Sequence, residues 1–461
     1  MENLNTFSNQ TEIEKSSDFS ELLEKASSTS ITVYEVLNPT NRATAKAEFF
    51  NNPNLTRPNF EQGNIDEESI ASNLKTIADV YEQMNTATLS NVEELTLQII
   101  TDDVAKKNAF VQDCISYNSA VTPEEKATYA EAHRFTNEAL YGTPDEDTFY
   151  SLLSEGLASI PVDTLSEDDK KIYDSLISEI GELKPVSSER FKPSPETVER
   201  FSEMINLLFE NFWQHIPEDK DEFTTEEACN IANEIITEEI GLEHTDYRAV
   251  MSKDDSSVSV NHDKRVIIFP VERASGNFSR LGLKKILAHE LCTHAYRAMV
   301  YEDYGISAMS HELPGNEVID EGIAKCCEQA VEGKYSDSGV EHYINIGLAN
   351  FKGKNFREVF DIQQKLLYLK KCKPEESSTE KSTRLHAKDD AIFNRTMRCF
   401  RGTGELPNNK DLVYYNGANL VWHYIEDHID DPDLLDNLFL SGKSNILDEN
   451  QSRLVYESKV S

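Results

Sequence analysis

His289-Glu290-Leu291-Cys292-Thr293-His294 is the stretch of this 461-residue sequence that decides the fold. It places two imidazoles and one carboxylate on a single predicted helix. Two neutral imidazole nitrogens, with a third ligand and one open position, are what a catalytic zinc site needs. A carboxylate beside them is placed to take a proton from water bound to the metal. The stretch therefore predicts a zinc site of the hydrolytic type.

The spacing of the two histidines predicts a distorted helix. They lie five residues apart, whereas the familiar H-E-x-x-H helix separates them by four. On a regular helix of about 3.6 residues per turn, five residues rotate a side chain by about 500°, so the imidazoles would point about 140° apart. A π-type bulge near Cys292 and Thr293 would bring both imidazoles onto one face, and such bulges are frequent at functional sites.

A third ligand is expected from a second helix. The best candidate is Glu321, in the stretch Asp320-Glu321-Gly322-Ile323-Ala324, which opens an apparent helix. Gly322 allows backbone or metal to approach closely where a side chain would obstruct. Asp320 is placed to orient an imidazole through a hydrogen bond, as carboxylates commonly do around zinc. A polar helix face without metal is the alternative interpretation of these residues.

At these two motifs the chain resembles a family of zinc peptidases with an H-E-x-x-x-H signature and a downstream Q-E-G-L-A motif. The family includes the microtubule-associated tyrosine carboxypeptidases and bacterial flavohaemoglobin-expression-modulating proteins. Asp320 replaces the family's Gln, and Ile323 replaces its Leu. The resemblance implies zinc held by His289, His294 and Glu321, with Glu290 as general base acting on a zinc-bound water. It rests on HELCTH at 289–294 and DEGIA at 320–324, with weaker similarity in NPTN at 38–41, YGTPD at 141–145, RCFRG at 398–402 and KDLVYYNG at 410–417.

Candidate substrate-binding residues follow near the end of the chain. Arg401 is the first choice to bind a substrate carboxylate, with Arg398 and Lys410 in reserve, because a guanidinium fork accepts a carboxylate bidentately. Pairing of these arginines with internal carboxylates is the alternative. Tyr414 is a candidate catalytic donor that would stabilise an oxyanion, and a buried structural tyrosine is the alternative for it.

Composition limits the classes of function. The chain has 45 Lys and Arg against 83 Asp and Glu, a net charge of −38, which disfavours nucleic acid and anionic membrane as partners. The seven cysteines lack C-x-x-C spacing, so we expect reduced thiols. No long apolar run predicts a membrane helix. A cytoplasmic protein is therefore expected, and the sequence does not predict its oligomeric state.

The fold class expected from these patterns is α+β and mainly α-helical, with a zincin-like catalytic domain preceded by a helical N-terminal domain. Val258-Ser259-Val260 and Val266-Ile267-Ile268-Phe269 predict a β-hairpin just before the metal helix, whose edge is suited to bind extended peptide. The predicted boundaries are a disordered tail at 1–17, the helical domain at 18–180, a linker at 181–195 and the catalytic domain at 196–461, with a mobile insertion loop at 373–389.

These observations predict a zinc-dependent peptidase, and the resemblance implies a carboxypeptidase that removes residues from the C-terminal tails of peptides or proteins. Two alternatives keep the metal: an endopeptidase, and a regulatory protein that binds peptide tails without turnover. A third alternative is a structural helical protein without metal.

Overall fold

Helices dominate the architecture. The computed structural model describes residues 16–61, 66–186, 189–241, 245–253, 255, 257–273, 276–303, 313–373 and 376–460. They form many helices and two small β-sheets, so the predicted α+β class with helices in the majority is confirmed. Within these ranges, no helix is both long and apolar enough to cross a membrane.

The first part of the chain is helical up to Ile180. Ser90 and Thr122 cap the starts of two of its helices. Each side chain accepts a hydrogen bond from the backbone N–H three residues later, and the Glu at that later position accepts one from the backbone N–H of the cap residue. The Ser-x-x-Glu and Thr-x-x-Glu patterns at these positions predict such capping boxes, and the structure confirms them. Each box satisfies N–H groups that a helix start leaves without a partner. Helices α1–α8 span Ser17–Ser28, Val33–Val36, Arg42–Asn51, Glu67–Met84, Asn91–Ser119, Pro123–Tyr141, Glu146–Ala158 and Glu167–Ile180.

Helices after residue 194 frame the predicted metal motifs. Two π-helical turns interrupt this part, at Ile236–Ile240 and at Glu290–Ala295. The second lies between α12 and α13, and we call it the π-turn. Helices α9–α21 span Pro195–Leu208, Glu210–Gln214, Thr225–Ile235, Arg280–His289, Tyr296–Asp303, Asn316–Glu332, Val340–Lys352, Phe356–Leu369, Ser378–His386, Asp389–Cys399, Leu412–His428, Leu434–Phe439 and Glu449–Val460.

Two sheets lie between α10 and α12. Strands β1–β5 span Glu222–Phe223, Arg248–Ser252, Ser259–Asn261, Val266–Pro270 and Phe278–Ser279. Strands β3 and β4 pair antiparallel with Val260 opposite Ile267, which confirms the predicted hairpin. Strand β2 pairs parallel with β4 and was not predicted, because its Arg-Ala-Val-Met-Ser sequence lacks a β-branched run. The order β2-β4-β3 leaves β3 at an edge.

Of the two largest cores, one lies entirely within 196–461 and the other crosses the predicted domain boundary. The core that crosses it packs Phe149 and Leu176 from the first part against Ile346 and Leu366 from the second. The predicted linker at 181–195 is exposed along 181–186. Its Arg190 forms salt bridges with Glu155, which precedes the linker in the sequence, and with Asp337, which follows it. Apolar side chains from both sides of the predicted linker therefore share one core, while the division into domains stays a prediction.

Three predicted loops or tails differ from the structure where it describes them. Ser16 caps α1, so residues 16 and 17 belong to a helix start, while 1–15 lie outside the described residues. The predicted insertion loop at 373–389 contains α17, whose Ser377 forms a capping box with Glu380. The stretch at 301–316, which contains Ser310, Pro314 and Gly315, predicts a third loop; in the structure residues 301–303 continue α13, and 304–312 lie outside the described residues.

Glycines let α14 approach α19 closely. A Cβ added to Gly322 would lie 2.3 Å from the carbonyl oxygen of Gly417, and one added to Gly417 would lie 2.2 Å from that of Val318. Both distances are far below van der Waals contact, so only glycine fits at each position. The close approach that we predicted at Gly322 is therefore with the backbone of α19, and it fixes the neighbouring Glu321.

Candidate metal centre

The π-turn brings His289 and His294 together. Each N–H in a π-helix bonds to the carbonyl five residues back, so side chains five residues apart share one face. Thr293 supports this geometry, because its buried Oγ1 donates to the carbonyl of Ala288, five residues earlier, at 2.9 Å. The predicted bulge near Cys292 and Thr293 is thus confirmed.

Both imidazoles and Glu321 converge on one point. The Nε2 atoms of His289 and His294 lie 3.1 Å apart. The two carboxylate oxygens of Glu321 lie 3.6 Å from His289 Nε2 and 4.0 Å from His294 Nε2. Ligands of a tetrahedral zinc ion lie about 3.3 Å from one another, given bonds of about 2.0–2.1 Å. The spacing of these three groups matches that arrangement.

Unpartnered polar atoms support a cation at this point. Glu321 Oε2 is buried and has no hydrogen-bond partner among the described residues. A buried carboxylate oxygen without a partner is costly, and a bound cation removes that cost. His289, Glu290 and His294 also form a compact group whose ligand atoms all lie within 4.8 Å of one another. This His-Glu-His group is a candidate metal site, and its donor set of nitrogen and oxygen suits zinc.

His294 is held by Asp320. Its Nδ1 lies 2.6 Å from Asp320 Oδ2, which leaves Nε2 to face the other ligands. Burial alone would lower the pKa of His294, but the Asp320 carboxylate raises that pKa to about 9. Arg297 and Lys443, both nearly fully buried, bind the same carboxylate and, despite the opposing effect of burial, hold the pKa of Asp320 well below its usual range.

His289 contacts a carboxylate that sequence reasoning missed. Its Nδ1 lies 2.7 Å from Glu328 Oε1, an ion-pair distance, although the contact does not have the geometry of a hydrogen bond. Lys325 binds the same oxygen at 2.8 Å. Despite burial, which alone raises it, contact with His289 and Lys325 lowers the pKa of Glu328 to about 2. The sequence signal that could have identified Glu328 was its spacing from Glu321, because the two residues lie seven apart and share one face of α14.

Replacing Glu328 with Gln is expected to weaken zinc binding by about 10–100-fold, because the amide cannot supply the negative charge that orients His289 and raises its basicity. Competition with a chromogenic chelator would measure the affinity. Glu332→Gln, one turn further along α14 and paired with Lys285 outside the site, is the matched control. Equal zinc affinity in the two variants would show that Glu328 does not support the ligand.

Glu290 lies beside the ligands in the π-turn. Its side chain belongs to a residue that is only 7% exposed, and burial raises its pKa, while the two imidazoles oppose that rise. Glu290 and Glu321 both reach the imidazoles, so the structure offers each carboxylate as a candidate ligand.

A cleft of about 640 Å³ opens onto these residues. One wall is the β3–β4 hairpin from Ser257 to Asp263, which includes the edge strand. The lining also includes residues from the N-terminal part of the chain, to which the sequence analysis assigned no chemistry. These are Ser30, Ile31, Thr32, Val33, Tyr34, Glu35, Asp103, Lys107, Leu140 and Tyr141.

The predicted substrate-binding residues divide into two groups. Lys410 and Tyr414 line the cleft, and Lys410 Nζ lies 2.5 Å from Glu317. Arg398 and Arg401 are not among the described residues that line it. Arg398 lies behind Tyr414, donating to its phenol oxygen at 2.8 Å and to Asp411 at 2.6 Å. Arg398 thus has the internal carboxylate partner that we considered as the alternative.

The arginines nevertheless keep unused donors. The Nε–H groups of Arg398 and Arg401 and one terminal N–H of Arg395 are buried without hydrogen-bond partners among the described residues. Asp411, nearly fully buried, is bound by Arg398 and His342. The region behind Tyr414 is therefore rich in positive charge.

Cysteines pack as apolar side chains here. Cys292, in the π-turn, is fully buried, and so are Cys326 and Cys327 on α14. All seven cysteines are free thiols, as predicted. Burial raises the pKa of each thiol near the metal site, which keeps the thiols protonated.

Comparison with known proteins does not add to this geometry. No protein-family model, no curated protein and no solved structure matches the chain.

Proposed function

We propose that the protein is a zinc-dependent peptidase that acts as a carboxypeptidase on the C-terminal tails of peptides or proteins. The observation that carries the proposal is the convergence of His289, His294 and Glu321 beside Glu290 in the lining of a cleft. The sequence resemblance to H-E-x-x-x-H peptidases supports the same activity. The reduced, buried cysteines support a cytoplasmic location.

The ligand set that we propose for zinc is His289, His294 and Glu321, which leaves Glu290 as the base. When bound, zinc would supply Lewis acidity toward the peptide carbonyl and toward water. Asp320 and Glu328 would hold the two imidazoles from behind. Asp320 stands where the resembling family has Gln, and its extra charge is balanced here by Arg297 and Lys443.

In the proposed reaction Glu290 takes the proton from water as water adds to the peptide carbonyl. The same carboxyl group then gives that proton to the departing amine, so the peptide bond breaks and Glu290 returns to its ionised form. Tyr414 would donate from the cleft wall toward the carbonyl oxygen. Arg398, which donates to the phenol oxygen of Tyr414, would leave the phenol O–H available for this donation.

Strand β3 supports binding of an extended peptide. It lies at the edge of its sheet, so one side of its backbone is not used by β4. An extended chain adds to such an edge through main-chain hydrogen bonds. A peptide bound there would run along the cleft wall past Glu290.

Carboxypeptidase action predicts that amidating the C-terminus of a peptide lowers binding and turnover by at least about tenfold. The substrate carboxylate would lose a charge-assisted hydrogen bond of about 1.5–3 kcal/mol to Lys410 or to the arginines behind Tyr414. Matched free-acid and amidated peptides, analysed by mass spectrometry after digestion with zinc-loaded protein, would measure the ratio.

Two lysine variants sharpen this test. Lys410→Met should reduce the preference for free acids, whereas Lys285→Met, whose ammonium pairs with Glu332 outside the cleft, should retain it. Equal cleavage of both peptide forms, or cuts inside longer peptides, would instead make the protein an endopeptidase. Binding of peptides without any cleavage would favour a regulatory protein that binds peptide tails.

A further inference from the structure

Lys325 is a charged side chain in the cleft lining that the proposed reaction has not used. It lies on α14, four residues after the proposed ligand Glu321 and three before Glu328, so these three side chains share one face of the helix. The Lys325 side chain is 25% exposed, and it lines the cleft together with His289 and Glu290. The helix face that carries the proposed third ligand therefore also carries an ammonium group.

Lys325 and His289 contact the same carboxylate oxygen. Lys325 Nζ donates a hydrogen bond to Glu328 Oε1 at 2.8 Å, and His289 Nδ1 lies 2.7 Å from that oxygen. The first contact has hydrogen-bond geometry, whereas His289 Nδ1 is buried without a hydrogen-bond partner among the described residues. The lysine therefore takes the hydrogen bond at the oxygen that the imidazole faces.

A metal ion on His289 would make the imidazole a competitor for this oxygen. The ion uses the lone pair of Nε2, so the proton of the neutral ring is on Nδ1, the atom that faces Glu328. An Nδ1–H that donates to a carboxylate makes the imidazole a stronger ligand. An ammonium bound to the same oxygen reduces the negative charge that the imidazole receives. Lys325 and His289 then compete for Glu328 Oε1.

The charge of Lys325 acts in the same direction. Burial alone would lower the pKa of Lys325, but the carboxylates of Glu328, Glu321 and Glu290 outweigh burial and raise that pKa, so the side chain is charged at neutral pH. A cation beside the ligands also repels a divalent cation. Competition for Glu328 and direct repulsion both weaken binding of the metal.

We propose that Lys325 is a positioning residue that lowers the zinc affinity of the site, because it holds Glu328 back from a full hydrogen bond with His289. This inference rests on the zinc site of the proposed function and deepens it with a side chain that opposes the metal. A weaker imidazole donor leaves more positive charge on zinc, which favours polarisation of a peptide carbonyl.

The test measures zinc affinity of full-length variants by competition with a chromogenic chelator. Lys325→Met should bind zinc about threefold to tenfold more tightly than the unmodified protein, which is part of the effect that a carboxylate has on a zinc-bound imidazole. Lys325→Arg keeps the charge and should restore the unmodified affinity. Lys285→Met, whose ammonium pairs with Glu332 outside the cleft, is the matched control and should change nothing.

A double variant separates action through Glu328 from direct repulsion of the metal. In the Glu328→Gln background, Lys325→Met should lose most of its gain in affinity, because the charge of the shared oxygen is gone. A gain of full size in that background overturns the inference. An affinity of Lys325→Met equal to or below that of the unmodified protein also overturns it and leaves the proposed zinc site standing.

Two further outcomes keep the test decisive. If Lys325→Met does not fold, Lys325→Gln, which also removes the charge, gives the same comparison with the same expected gain. If the unmodified protein binds no zinc, the proposed metal site fails and this inference fails with it. Affinity is measured without substrate, so the result does not depend on peptide hydrolysis.

Discussion

Glu290→Gln is expected to lower kcat for peptide hydrolysis by about 10²–10⁴-fold while the protein still binds one zinc ion. Gln keeps the size and shape of the side chain in the π-turn and removes the group that accepts the proton. Steady-state kinetics on a peptide with a free C-terminus, together with metal analysis of the same sample, would measure both quantities.

A parallel substitution separates the base from the ligand. If Glu321 is the third ligand, Glu321→Gln should lose most of its zinc affinity, whereas Glu290→Gln should retain it. Glu332→Gln, at the far end of α14, should change neither quantity. If Glu290→Gln loses zinc while Glu321→Gln retains it, Glu290 is the ligand and Glu321 is the base. Undiminished turnover in zinc-loaded Glu290→Gln would exclude Glu290 as the base.

Gly322→Ala is expected to destabilise the protein by about 3 kcal/mol, despite the higher helix propensity of alanine. The added methyl group would lie 2.3 Å from the carbonyl oxygen of Gly417, so α14 and α19 must move apart. Because Glu321 precedes Gly322 on the same helix, that movement also displaces the proposed third ligand. Both the melting temperature and the zinc affinity should therefore fall.

Gly156→Ala is the matched control for this prediction. Gly156 also lies within a helix, but a Cβ there would meet its nearest neighbour, Lys370 Nζ, at 3.4 Å, which is ordinary contact. This variant should hold or slightly raise the melting temperature and leave zinc affinity unchanged. An unchanged melting temperature in Gly322→Ala would mean that the two helices do not need glycine at their crossing.

Local patterns allowed much of the site to be predicted. The five-residue spacing of the histidines predicted the π-turn, because only a widened turn puts both imidazoles on one face. Short β-branched runs predicted the β3–β4 hairpin, and the Ser/Thr-x-x-Glu patterns at Ser90 and Thr122 predicted two helix starts. Each of these features depends on residues that are close in the sequence.

The sequence did not predict the features that depend on contacts between segments far apart in the chain. Residues from the N-terminal part of the chain, such as Tyr34 and Asp103, line the cleft, and no sequence motif marks them as lining residues. The pairing of Tyr247 with His262 depends on a parallel strand that the sequence did not indicate. The residue type indicated that the arginines suit a carboxylate, but it did not indicate which carboxylate each guanidinium contacts. In the structure Arg398 donates to Asp411 and to Tyr414.

We propose that His289, His294 and Glu321 together hold one zinc ion in front of Glu290. A crystal structure of the zinc-loaded protein, with anomalous differences collected at the zinc edge, tests it most directly. We predict one strong peak, about 2.0–2.2 Å from the Nε2 atoms of both histidines and from a Glu321 oxygen. A peak elsewhere, or a Glu321 carboxylate directed away from both imidazoles, would contradict the claim.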